Sequence, residues 1–122
     1  MNTIYNLTQH PASPDQLSAG VIDPSTEVKA QLVALITFDE IPSQEQLLDR
    51  AREVSRLIPV EFNRAMIGGA PFFQSVLEYV LRQKGIVPLH AFSKREVVET
   101  TNADGKVVKT AVFRHLGFVV PY

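Results

Sequence analysis

The run Val87-Pro88-Leu89-His90-Ala91-Phe92 leads directly into Ser93-Lys94-Arg95, which sets a hydroxyl beside two cations. Arg holds phosphate through a planar fork and Lys does so as a mobile point charge, so the trio suits a phosphate-bearing ligand. Read as a short buried strand that stops at Ser93, the apolar run would deliver these side chains to a loop. In an α/β sheet the carboxyl ends of parallel strands are where loops diverge and leave a crevice. Successive side chains of an extended chain point to opposite sides, so only one of Lys94 and Arg95 need enter such a site. The plain alternative is a solvated strand end.

Two further loops carry suitable chemistry. Asn6-Leu7-Thr8-Gln9-His10 offers amide, hydroxyl and imidazole groups for a base edge, ribose or phosphate, although the same residues are ordinary in turns. Gly68-Gly69-Ala70-Pro71 would let backbone N–H groups approach an anion at a helix start. It has neither the glycine spacing of dinucleotide folds nor the Lys-Ser/Thr ending of a P-loop, and a tight strand-to-helix turn needs glycine anyway. Arg114 and His115 lie on a segment expected to pair beside Ser93. His115 can serve as acid or base near neutral pH or sit as a structural residue among apolar neighbours.

Other chemistries find less support. Three scattered histidines and no cysteine give no metal-ligand spacing, and no serine stands in a Gly-x-Ser-x-Gly elbow. Phosphate chemistry without metal or cofactor fits better.

The elements that must position these groups follow from local signals. Ile4 to Leu7 is β-prone and stops at a polar loop. Ser13-Pro14-Asp15-Gln16 supplies an N-cap, a first-turn proline and the Gln of a capping box, predicting a short helix to about Ala19. Gly20 ends it, and Val21-Ile22-Asp23 reads as a brief strand. Leu32 to Ile36 fits helix or strand equally by periodicity. Ser43 and Gln46 form a second capping box before a helix carrying Leu47, Leu48, Ala51, Val54 and Leu57, closed by Pro59. A strand within Phe62 to Ile67 turns through the glycines into a helix with Phe72, Phe73, Val76, Leu77, Val80 and Leu81 on one face, ended by Gly85.

Beyond Arg95, Glu96-Val97-Val98-Glu99 and Lys106-Val107-Val108-Lys109 flank the turn signal Asn102-Ala103-Asp104-Gly105. Such a hairpin brings Glu99 near Lys109 or Thr110, and Phe113 to Val120 extends its second strand or adds another. Alternating strands and helices predict an α/β fold with a mainly parallel sheet, right-handed crossovers and a C-terminal antiparallel β-hairpin.

With 122 residues, 45% hydrophobic and 20% charged, the chain suits one folded domain over residues 1–122. A net charge of -1 argues against coating a nucleic-acid duplex, which calls for a basic face. The lack of cysteine suits the cytoplasm. The first residues have no signal-peptide pattern and no apolar run reaches a membrane span, so a protein neither exported nor membrane-bound is expected.

The series Asn-Leu-Thr-Gln-His-Pro, Ser-Pro-Asp-Gln, Ile-Pro, Gly-Gly, Ser-Lys-Arg-Glu and the closing Asp-Gly-Lys-Val-Val-Lys-Thr-Ala-Val-Phe-Arg-His-Leu-Gly-Phe resembles the small CRISPR-associated Rossmann-like (CARF-like) ring nucleases. The likeness spans nearly the whole chain and is most specific from Gly85 to Phe118. Ser93 stands where that pattern has threonine, and Gly68-Gly69 where it has glycine followed by a polar residue. The resemblance implies a Rossmann-like domain that binds a cyclic oligoadenylate across a homodimer. It further implies metal-independent cleavage by 2'-OH attack, which switches off type III CRISPR signalling. By position it assigns Asn6, Thr8 and Gln9 to ribose or adenine, Gly68 and Gly69 to the backbone, and Ser93, Lys94 and Arg95 to the scissile phosphate. His10, Arg114 and His115 complete the expected binding set. A nucleotide-binding module without turnover and a self-associating structural protein of a mobile element are the competing readings.

Overall fold

The computed structural model describes residues 3–122. Its elements run β1 (Ile4–Asn6), α1 (Pro14–Ser18), β2 (Val21–Ile22), α2 (Thr26–Ile36), α3 (Gln44–Arg56), β3 (Arg64–Ile67), α4 (Pro71–Gln83), β4 (Val87–Thr101) and β5 (Val107–Val119). The strands form one sheet in the order β2-β1-β3-β4-β5. The first three pairings are parallel, and β4 and β5 are antiparallel.

Local signals set the helix starts. Ser13 accepts from Gln16 N while the Gln16 side chain accepts from Ser13 N, and Ser43 and Gln46 repeat the arrangement before α3. These boxes satisfy amides that a helix start otherwise leaves open. The ambiguous stretch before Thr37 is helical, with Ser25 as its cap. Leu32 and Ile36 are buried while Ala34 is exposed, the four-residue spacing of a helix rather than the alternation of a strand.

Strand alternation splits the core in two. Tyr5, Leu7, Ala65 and Ile67 face a layer built from Leu32 and Ile36 of α2, Ala51 and Val54 of α3, and Phe73, Leu77, Val80 and Leu81 of α4. Ile4, Val21, Met66 and Leu89 form a smaller cluster with Ala12, Val87 and Phe118. That face carries only the five-residue α1, none of whose residues is buried.

The expected strand Val87 to Phe92 does not stop at Ser93. β4 continues to Thr101, paired throughout with β5, and the turn closes on Asn102, whose Oδ1 accepts from Asp104 N and Lys106 N. Gly105 takes a positive φ of 76°, which the turn requires and glycine supplies without strain. Glu99 faces Lys109 as expected, with Lys109 Nζ 3.7 Å from Glu99 Oε1. Only the first part of β4 is buried, since Pro88 and Leu89 are covered while Ala91 and Phe92 are exposed. Polar residues read as a strand end because buried strands are apolar. The outer half of β4 has a single strand neighbour and solvent on both faces, so its ladder continues without an apolar pattern. No helix among the described residues is long and apolar enough to cross a membrane.

Candidate functional site

From β1 the chain moves outward to β2, then crosses back over β1 to β3 and β4. The loops after β1 and β3 therefore part in opposite directions, the place where open α/β sheets hold ligands. A crevice of about 400 Å3 lies there, lined by Thr8, Gln9, His10, Gly68, Gly69 and His90 among others. Five of the expected site residues thus share one wall-to-wall space.

The loop after β1 is held by side chains underneath it. Asn6 is wholly buried; its Nδ2 donates to His10 O and to Asp23 Oδ1, each at 2.8 Å, and its Oδ1 accepts from Thr8 N and Thr8 Oγ1. Asp23 also accepts from Ala12 N. Lys29 Nζ donates to Thr8 O at 2.7 Å, and burial pushes its ammonium below the usual lysine range, partly offset by the nearby Asp23. Asn6, expected to touch ribose or adenine, instead shapes the loop that carries Thr8, Gln9 and His10. A buried amide satisfies its polar atoms before it can serve a ligand.

The glycine turn lies between that loop and β4. Gly69 has φ 133°, a conformation side chains disfavour, and a Cβ on Gly68 would stand 3.4 Å from Thr8 Cγ2. Small size at Gly68 keeps the crevice open. The following helix, α4, has Ala70 at its N-cap with no side-chain cap; its first residue, Pro71, has no N–H, and Ala70 O accepts from Phe73 N and Gln74 N.

Ser93, Lys94, Arg95, Arg114 and His115 stand on the β4–β5 ribbon, outside this crevice. The register jumps between Phe92, opposite Gly117, and Ser93, opposite His115, so Leu116 bulges from the ladder. Ser93 and His115 border a second hollow of about 330 Å3 beside Ser13, Gln16 and Phe113. Gln16 borders both spaces. His115 rests edge-on against Phe118, and neither ring nitrogen has a hydrogen-bond partner among the described residues. Lys94 is the cross-strand neighbour of Arg114 on one ribbon face, and Arg95 sits opposite Phe113 on the other. The two adjacent cations point apart, as strand geometry demands. Arg114 Nε lies 3.3 Å from Glu96 Oε2.

Sequence reasoning missed His90 and Glu78. His90 closes the parallel pairing of β4, opposite Ile67, and its Nε2 lies 2.6 Å from Glu78 Oε1 of α4. A carboxylate beside Leu77, Val80 and Leu81 was the available signal, since an acid that near a packed helix face calls for a partner. Among the described residues no group of three or more His, Cys, Asp or Glu is placed to hold a metal ion.

Compared with known proteins, residues 2–119 match the profile of the family described as the uncharacterized protein MJ1673 family. No curated protein and no solved structure matches the chain.

Proposed function

The chain belongs to the MJ1673 family; we propose, from the chemistry of its crevice, that it is a ring nuclease, binding a cyclic oligoadenylate and opening it by metal-independent attack of a ribose 2'-OH on the neighbouring phosphate. The observation that carries this reading is the shared crevice: Thr8, Gln9, His10, Gly68 and Gly69 meet at the carboxyl ends of β1 and β3. The strand order β2-β1-β3-β4 is that of doubly wound sheets, which supports a Rossmann-like reading of the fold. Hydroxyl, amide and imidazole groups suit ribose and base edges, while the glycine turn lets backbone approach a phosphate closely. Catalysis of this kind asks mainly for alignment of attacking and leaving oxygens and for stabilisation of phosphate charge.

A crevice of about 400 Å3 takes part of an oligonucleotide ring rather than the whole. The reading therefore includes a homodimer whose two crevices share one ring, as expected of a cytoplasmic protein that removes an intracellular messenger. The exposed apolar side chains Val97 and Phe113 on the ribbon are suited to such a contact.

A second reading, a nucleotide-binding module without turnover, is favoured by one observation: Ser93, Lys94 and Arg95 stand outside the main crevice. Incubation with cyclic tetra- and hexa-adenylate in EDTA, with product analysis, separates the two. Linear product ending in a 2',3'-cyclic phosphate supports the nuclease. Tight binding without product supports the module, and neither outcome leaves a structural, self-associating protein.

A further inference from the structure

We propose that His90, oriented by Glu78, is the general base of this crevice, and that His10 supplies the proton to the leaving oxygen. The assignment rests on the nuclease reading above and names the groups that would perform its chemistry.

The geometry carries it. In the order β1-β3-β4, the loop of His10 and the strand of His90 flank the Gly68-Gly69 turn from its two sides, and all four residues border the same crevice. His90 Nε2 is engaged by Glu78 Oε1 at 2.6 Å, and the Glu78 side chain is only 14% exposed. A carboxylate on one ring nitrogen fixes the proton there and leaves the lone pair on Nδ1, the arrangement that orients a histidine base in hydrolytic triads. His90 makes no other side-chain hydrogen bond among the described residues, and its side chain is 34% exposed. His10 is exposed, and its carbonyl, held by Asn6 and Thr8, fixes its backbone at the crevice rim.

The step balances without water or metal. The 2'-oxygen forms a bond to phosphorus as its proton passes to His90 Nδ1, and the bond from phosphorus to the 5'-oxygen breaks as that oxygen takes a proton from His10. The products are a 2',3'-cyclic phosphate and a 5'-hydroxyl. Glu78 is a positioning residue that stabilises the imidazolium formed on His90.

The test uses the full chain in EDTA with cyclic tetra- and hexa-adenylate. His90→Gln and His10→Asn are each expected to lower kcat about 100-fold or more while weakening binding of the ring far less than they slow its cleavage. Glu78→Gln should lower kcat with KM unchanged, and Glu78→Asp should recover part of the loss. Replacing the scissile 5'-oxygen by sulfur removes the need for a proton on the leaving group, so this substrate should rescue His10→Asn but not His90→Gln. Thermal melting checks each fold; if His90→Gln fails to fold, the sulfur substrate with His10→Asn and the Glu78 pair still decide the matter. Cleavage by the native chain together with a near-native rate in folded His90→Gln overturns this assignment and leaves the nuclease reading intact. Rescue of both histidine variants by sulfur also overturns it. Absence of any cleavage by the native chain overturns both.

Discussion

Asn6 Nδ2 donates to Asp23 Oδ1 at 2.8 Å, which ties the end of β1 to the residue following β2 and sets the loop between them. Asn6→Ala removes this bond and the bonds to His10 and Thr8 in one step. Leaving such buried groups unpaired costs about 1–3 kcal/mol. Urea unfolding should show that loss, and binding of cyclic oligoadenylate should weaken with it. An unchanged midpoint would mean the network contributes nothing.

Gly69→Ala should destabilise the fold by about 1 kcal/mol or more, because φ 133° suits glycine and not alanine. Gly68→Val acts differently. Its larger side chain meets Thr8 Cγ2 and fills the crevice, so nucleotide binding should fall further than the melting temperature suggests. Calorimetric binding beside thermal melting separates the two effects.

Lys29 gives a test in alkali. Its proton is disfavoured in the folded state, first by burial, so between its lowered folded pKa and the unfolded value near 10.5 the unfolded chain holds more protons. Stability contributed by this residue therefore rises with pH through that window. Tyr5, whose pKa is raised by burial and then by Glu61, acts with the opposite sign as pH passes 10.0. Comparing the native chain with Lys29→Met cancels the Tyr5 contribution, and the native chain should gain stability relative to the variant as pH climbs.

Lys94→Ala and Arg95→Ala should each change stability by less than about 0.5 kcal/mol, since both side chains are exposed. Their effects on binding should be unequal. Strand alternation sends them to opposite ribbon faces, so a single bound ring can meet only one face of a given ribbon. Equal losses of affinity, measured by titration at fixed salt, would contradict that placement.

The ribbon itself makes a prediction about assembly. Beyond Ser93 it is a two-stranded arm with Val97 62% and Phe113 74% exposed, and two-stranded hairpins gain little stability alone. Val97→Lys with Phe113→Ser should convert a dimer to a monomer in sedimentation while leaving the helical core folded. A double variant that sediments as the native chain does would remove the arm from the interface.

Much of the fold was legible in the chain because its determinants are local. Both capping boxes, the glycines that end or open turns, and the Asp104-Gly105 hairpin act within a few residues, so their patterns survive without tertiary context. The placement of Thr8, His10 and the glycine turn at strand ends was legible for the same reason. What required the folded sheet was everything decided by neighbours distant in sequence. Leu32 to Ile36 became helix because its burial follows a four-residue step against the sheet. Ser93-Lys94-Arg95 stayed in a strand because β5 pairs with it along its length, whatever its polarity. Asn6 turned from a ligand group into a loop support once Asp23 stood beside it. Glu78 and His90, twelve residues apart, met only when α4 packed over β4, and side-chain pairs across elements leave no spacing rule in a single sequence.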